Sequence, residues 1–180
     1  MNPKTRLVAA ACLSAMTLAS PGAAPAQDAA APAGANLAVD SDDGIRSYNS
    51  DGEPTFKIEA DGTVDWPTFS GFRRYHAECH VCHGPDGEGS TYAPALKNSV
   101  MHMEYGDFLA TIASGRQKVG ASENSVMPSF GTNKNVMCYV DDLWTYLRAR
   151  GSGELPRGRP AKRADKSEAY SEAEKACMDG

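Results

Sequence analysis

The stretch Cys79-His80-Val81-Cys82-His83 decides how this 180-residue chain is read. Two cysteines on one helical turn lie on the same face, so both thiols reach one flat ligand. The histidine that follows brings an imidazole to the same place. C-x-x-C-H is the attachment pattern of a c-type haem, with Cys79 and Cys82 as thioether donors and His83 as proximal iron ligand. A C-x-x-C pair also serves zinc and thiol redox chemistry, and His76 and His80 are near enough in sequence to complete a Cys2His2 set. A zinc finger, however, brings its second ligand pair after a longer loop, and none follows here. A thioredoxin-like site calls for a βαβ context, also missing.

The N-terminal residues read as an export signal. Lys4 and Arg6 precede a short apolar run from Leu7 to Ala19, and Ala24-Pro25-Ala26 offers an A-x-A cleavage site. The product is expected to begin near Gln27 and to work in the periplasm without a membrane anchor, because the run is too short to span a bilayer. Cys12 leaves with the signal, and it comes too early to be a lipoprotein cysteine. Of the five cysteines four then remain. With Cys79 and Cys82 given to haem, Cys138 and Cys177 are an even remainder, which in an oxidising compartment suggests a disulfide. A buried Cys138 thiol with a loose Cys177 is the alternative. A bridge of that span contributes about 4 kcal/mol at most by chain entropy.

The formal net charge of −5 is unevenly spread. Residues 148–166 hold Arg148, Arg150, Arg157, Arg159, Lys162, Arg163 and Lys166 against only Glu154 and Asp165, so the rest of the chain is strongly acidic. That balance argues against nucleic acid as a partner and for a basic surface on another protein, approached with electrostatic steering.

Residues 27–65 lack periodicity at first, with Ala, Asp, Ser and Gly prominent, and read as a flexible leader. A small hairpin turning at Asp61-Gly62 closes that segment. Pro67 opens a helix whose Phe69, Phe72 and Tyr75 lead into the C-x-x-C-H. Gly84 to Gly89 is a turn-rich loop; no strand precedes it and no G-K-[ST] follows, so it is not a phosphate cradle. Phe108, Leu109 and Ile112 give helical spacing to Met103–Ser114. Residues 115–135 read as a Gly-, Ser- and Asn-rich loop that carries Met127-Pro128-Ser129-Phe130. Val140, Leu143, Trp144 and Leu147 mark an amphipathic helix over Val136–Arg150, with Gly151 and Gly153 as its stop. A basic linker and a short terminal helix from Glu168 to Met178 complete the chain.

Taken together these features resemble the class I cytochromes c. Gly71, Tyr75 and Cys79 match that family's first-helix pattern, and Asp142-Leu143-Trp144-Thr145-Tyr146-Leu147 its last. The resemblance implies that these two helices cross closely, which Gly71 permits by lacking a Cβ. It implies that the Pro94 carbonyl accepts from the proximal His83 and fixes its tautomer, and that Met127 is the distal iron ligand. Met101, Met103, His102 and Met137 are the rival donors. The first three stand too soon after Pro94 to reach the distal face, and Met137 reads as core. Arg116 and Tyr92 are candidates to meet the haem propionates. Trp144 reads as core packing, and His76 and His80 as surface or supporting groups.

The expected fold is therefore mainly α, wrapped around one covalent haem c over residues 66–150. An irregular N-terminal extension precedes it, and a basic, disulfide-tied tail over 151–180 follows. A His/Met-ligated iron is closed to substrates, which implies an electron carrier rather than an enzyme. A haem enzyme and a gas-binding module are the alternatives, and both need an open iron position. A narrower resemblance lies in the stretches from Tyr75 to Gly87 and from Asn133 to Cys138, together with Cys177. They look like the four-cysteine cytochromes c of methanol metabolism. It implies a monomeric acceptor for a periplasmic quinoprotein methanol or alcohol dehydrogenase, with another cytochrome c or a terminal oxidase as next acceptor.

Overall fold

A computed structural model describes residues 36–120 and 124–180. The expected signal peptide over residues 1–26, its cleavage site and the first leader residues lie outside them. Two crossing helices organise everything else: α1 (Trp66–Glu78) and α6 (Val140–Ser152). The side chain of Asp65 accepts a hydrogen bond from Thr68 N (2.9 Å) and starts α1, with Pro67 in the first turn as the sequence suggests. At the crossing, a Cβ on Gly71 would sit 2.7 Å from Tyr146 Cβ and would overlap the Asp142 backbone. The helices meet where a side chain is missing. Tyr75, Tyr146, Leu143 and Leu147 are fully enclosed around that point, each contributing about 1.5–3 kcal/mol by leaving water.

Between these helices run α2 (His80–His83), a 3-10 turn at Pro85–Gly87, α3 (Leu96–Ser99) and α4 (Tyr105–Ser114). Phe108 and Ile112 bury the inner face of α4, and Phe108 stands 5.0 Å from the Trp144 ring. Trp144 is thus core packing, as its spacing suggests.

The expected continuous helix over 136–150 is two pieces. A short α5 (Lys134–Met137) is capped by Asn133, and the chain kinks at Tyr139 before α6 begins. Gly151 does not stop α6. It lies inside the helix, where a Cβ would come 2.6 Å from Met101 Sδ, and left-handed Gly153 ends the run.

The described leader residues include short strands. Strands β1 (Ser41–Asp42), β2 (Ser47–Tyr48) and β3 (Pro54–Thr55) form a small antiparallel sheet. Phe56 and Val64 then enter the core. The hairpin at Asp61-Gly62 is present as a bridge between Ile58 and Val64. Strand β4 (Thr63–Val64) next pairs in parallel with β7 (Lys162–Arg163) of the tail. Composition missed this order because discrete polar anchors, not an apolar pattern, hold the segment. Arg46 makes an ion pair with the fully buried Asp142 at 2.9 Å, and Thr55 donates to Leu37 O at 2.7 Å.

The tail ends in α7 (Glu168–Asp179), started by Ser167, which accepts from Tyr170 N at 3.0 Å. Cys138 and Cys177 form a disulfide with Cα atoms 5.8 Å apart. Tyr170 is buried, donating to Asp142 beside Ser70 Oγ of α1 (2.9 Å). Burial pushes the Asp142 carboxyl upward, while the Arg46 charge and the bonds from Tyr170, Ser70 and Arg46 act against it. Some tail cations also contact the body of the chain while staying exposed. Arg159 and Arg163 lie over Phe69, Arg163 also over Trp66, and Lys166 meets Glu174. No helix of the described residues is long and apolar enough to cross a membrane.

Candidate haem site

Cys79 ends α1 and the chain turns at once into α2. His83 N donates to Cys79 O at 3.0 Å, closing the turn that sets both thiols on one side. Cys79 is half-buried, Cys82 is exposed, and these are the free cysteines among the described residues. Burial, with the charges of Glu78 and Cys82 adding, pushes the Cys79 thiol up to about 12. A thioether forms by adding S–H across a vinyl double bond and leaves no buried charge. The described residues also hold no group of three or more His, Cys, Asp or Glu placed to bind a metal, so the Cys2His2 zinc set is not assembled.

His83 is buried at 8% exposure, and its Nδ1 stands 3.0 Å from Pro94 O. A carbonyl only accepts, so Nδ1 donates a proton to it, which in the neutral ring leaves the lone pair on Nε2. That is the tautomer an iron ligand requires. The loop between them is built from backbone crossings. Gly84 and Gly89 both have positive φ; a Cβ on Gly89 would lie 2.8 Å from Ala95 N, next to Pro94. Gly89 N donates to His83 O at 2.7 Å, and Tyr75 OH to Gly84 O at 2.6 Å. Asp86, at φ +57°, is buried inside the loop, and Gly158 N of the tail donates to its Oδ1 at 3.2 Å. Glu88 pairs with Lys97 (2.8 Å) and Arg150 (2.9 Å). The sequence shows these residues only as a glycine-rich turn.

Met127 lies at the end of β6 (Asn124–Met127), which pairs antiparallel with β5 (Arg116–Val119). The expected irregular loop is thus a hairpin, in which Arg116 and Met127 are direct cross-strand partners. Met127 is half-buried and packs against the same apolar cluster as Cys79. Among its rivals, Met101 is buried in the core, Met103 and Met137 pack against it, and His102 is exposed. Arg116 is exposed, and Tyr92 is 78% exposed on the loop before Pro94. The structure therefore assembles Cys79, Cys82, His83 and Pro94 into one unit. It sets Met127 beside Arg116 and leaves Tyr92 in solvent. The donor set, two free thiols on one turn beside an imidazole held by a carbonyl, fits a covalent haem.

No family model matches the chain. Cytochrome c-553I of Paracoccus denitrificans is 60% identical over 149 residues, covering 83% of this chain and 66% of that protein's length. Cytochrome c-555 of Methylococcus capsulatus is 37% identical over 100 residues, 55% of this chain and 75% of its own. The chain belongs to the c-type cytochromes. The crystal structure of the c-type cytochrome XoxG from Methylobacterium extorquens AM1 agrees in fold at a TM-score of 0.74 and 52% identity, over 79% of this chain and 87% of that one. The mainly-α class I fold and one covalent haem c per chain follow from that membership, as does an electron-transfer rather than an enzymatic role.

Proposed function

We propose that this cytochrome is a periplasmic single-haem carrier that accepts electrons from a quinoprotein methanol or alcohol dehydrogenase. It then passes them to another cytochrome c or a terminal oxidase. The observation that carries the haem assignment is the His83 Nδ1–Pro94 O contact of 3.0 Å beside the two free cysteines. The donor class rests on the likeness to four-cysteine methanol-type cytochromes, supported by the closure of the second cysteine pair. Haem supplies a one-electron Fe(III)/Fe(II) couple.

The residues divide the remaining work. Cys79 and Cys82 would hold the macrocycle covalently, and His83, oriented by Pro94, would ligate its iron. Met127 would supply a thioether donor to the iron, which favours Fe(II) and would keep dioxygen and substrates off the metal. Arg116, beside Met127 in the hairpin, and Tyr92 serve the propionates. The exposed residues Val81, Thr91, Tyr92 and Ser125 border the edge at which a partner docks. Residues 66–150 form the haem domain, with leader and tail as its cover once the signal over 1–26 is removed. Encounters of this kind bury little surface and are salt-sensitive. The acidic body supplies steering charge, and the exposed tail cations Arg157, Arg159, Lys162 and Arg163 orient the encounter.

Stopped-flow reduction of the oxidised protein by a pyrroloquinoline-quinone-dependent methanol dehydrogenase, over a salt series, tests this reading. Fast reduction that slows with salt is the expected result. Slow reduction alongside rapid exchange with other cytochromes c would leave a general carrier for a different dehydrogenase.

A further inference from the structure

The chain leaves α4 at Gly115, runs out along β5, returns along β6 and passes back over the point it left. Gly115 has φ +72°, and a Cβ there would lie 2.6 Å from Met127 O and 2.8 Å from both Pro128 C and Ser129 N. All three are backbone atoms, so no side chain can swing aside. The returning strand is then tied to the last carbonyls of α4, which have no partner within the helix. Phe130 N donates to Ile112 O at 3.0 Å, Gly131 N to Ala113 O at 3.0 Å, and Ser129 Oγ to Ala113 O at 2.6 Å. Gly131 repeats the device: a Cβ on it would meet Ala113 O at 2.8 Å. The backbone of Met127 is thus held from below by a missing side chain and from ahead by three hydrogen bonds to a rigid helix end.

We propose that Gly115 and Ser129 are positioning residues for the Met127 sulfur, the crossing at the α4 terminus setting where that sulfur stands and how rarely it leaves. The inference rests on Met127 being the sixth iron ligand. Neither residue need touch the haem. A methyl group at position 115 pushes the Met127–Ser129 backbone outward, and loss of the Ser129 hydroxyl frees its return.

The test uses the full-length holoprotein. Four variants, Gly115→Ala, Ser129→Ala, Ser129→Thr and Met127→Ala, are compared for the near-infrared absorption of ferric iron bound to thioether sulfur, and for carbon monoxide binding to the ferrous form. Backbone strain of this kind shifts populations about tenfold or more, so Gly115→Ala should weaken the absorption and speed carbon monoxide binding by about that factor. Ser129→Ala should do so to a smaller degree, and Ser129→Thr, which keeps the hydroxyl, should restore wild-type behaviour. Wild-type absorption and binding in both Gly115→Ala and Ser129→Ala, while Met127→Ala loses the absorption, would overturn the inference and leave the ligand assignment intact. An unchanged Met127→Ala would overturn the ligand assignment and the inference with it. Should Gly115→Ala give no folded holoprotein, the Ser129 pair decides alone.

Discussion

The crossing of α1 with α6 and the seam that fastens leader and tail to it are held by opposite physics. At the crossing, Gly71 contributes by having no side chain and the tyrosines around it by being dry. At the seam, Arg46 from the leader, Asp142 from α6, and Tyr170 from the tail meet through one buried carboxylate. The first is apolar close packing, which a family shares because it is generic. The second is a single charged knot whose members are useless singly, since a buried carboxylate without its partners is costly.

The seam is the part to break first. Asp142→Ala removes the carboxylate that joins Arg46 to Tyr170, leaving Arg46 only Asp141 at 3.7 Å and Tyr170 only Ser70 at 2.9 Å, and should cost about 3–5 kcal/mol, read from thermal or denaturant unfolding of the holoprotein. A loss under 1 kcal/mol would mean that leader and tail are passengers. Next, Cys177→Ser should cost about 2–4 kcal/mol, with α7 amides exchanging with deuterium much sooner and the haem spectrum unmoved. A changed spectrum would show that the two regions are mechanically one. At the crossing, Gly71→Ala forces the helices apart and should cost about 1–3 kcal/mol. Circular dichroism of α1 and haem retention should fall together, while the disulfide stays closed. If α7 opened instead, the division drawn here would fail.

The smallest effect concerns acid. For Glu88 and Glu174 burial alone would raise the carboxyls, but bonds from Lys97 and Lys166 and the nearby cations outweigh it and hold both below the usual range. Such groups stabilise the fold above the unfolded value of 4.5, and that contribution disappears as pH falls through their lower folded values. Protection of linker and α7 amides, taken relative to the intrinsic exchange rate at each pH, should therefore fall below pH 4.5, by less than about 1 kcal/mol per pair. Protection that stays flat on acidification would remove these pairs from the account.

The same contrast explains what could be read in the chain. Cys79, Cys82 and His83 lie within five residues, so their spacing alone reads as an attachment motif, while Gly71 and Tyr75 on the preceding helix are read from the likeness to a family. Pro94 needed only the added likeness to a family. The Arg46–Asp142 contact spans 96 residues and the Tyr170–Ser70 contact 100, and neither leaves a periodic trace. The break before α6 was hidden because Val136 and Val140, buried on both sides of it, keep helical spacing across the kink. The hairpin under Met127 was hidden because Arg116 to Val119 are all exposed and show no alternation.

The parallel pairing of Thr63–Val64 with Lys162–Arg163 also bears on timing. A contact between such distant segments cannot form until nearly the whole polypeptide has been made, and loop closure over that span is slow. Cys79 and Cys82 emerge well before it. For that interval the attachment turn belongs to an open nascent chain without its seam, so an enzyme that couples haem to the thiols would meet an extended, accessible substrate. The β4–β7 pairing, with α7 and Cys177 still to follow it along the chain, would then close the seam only after that window for delivery.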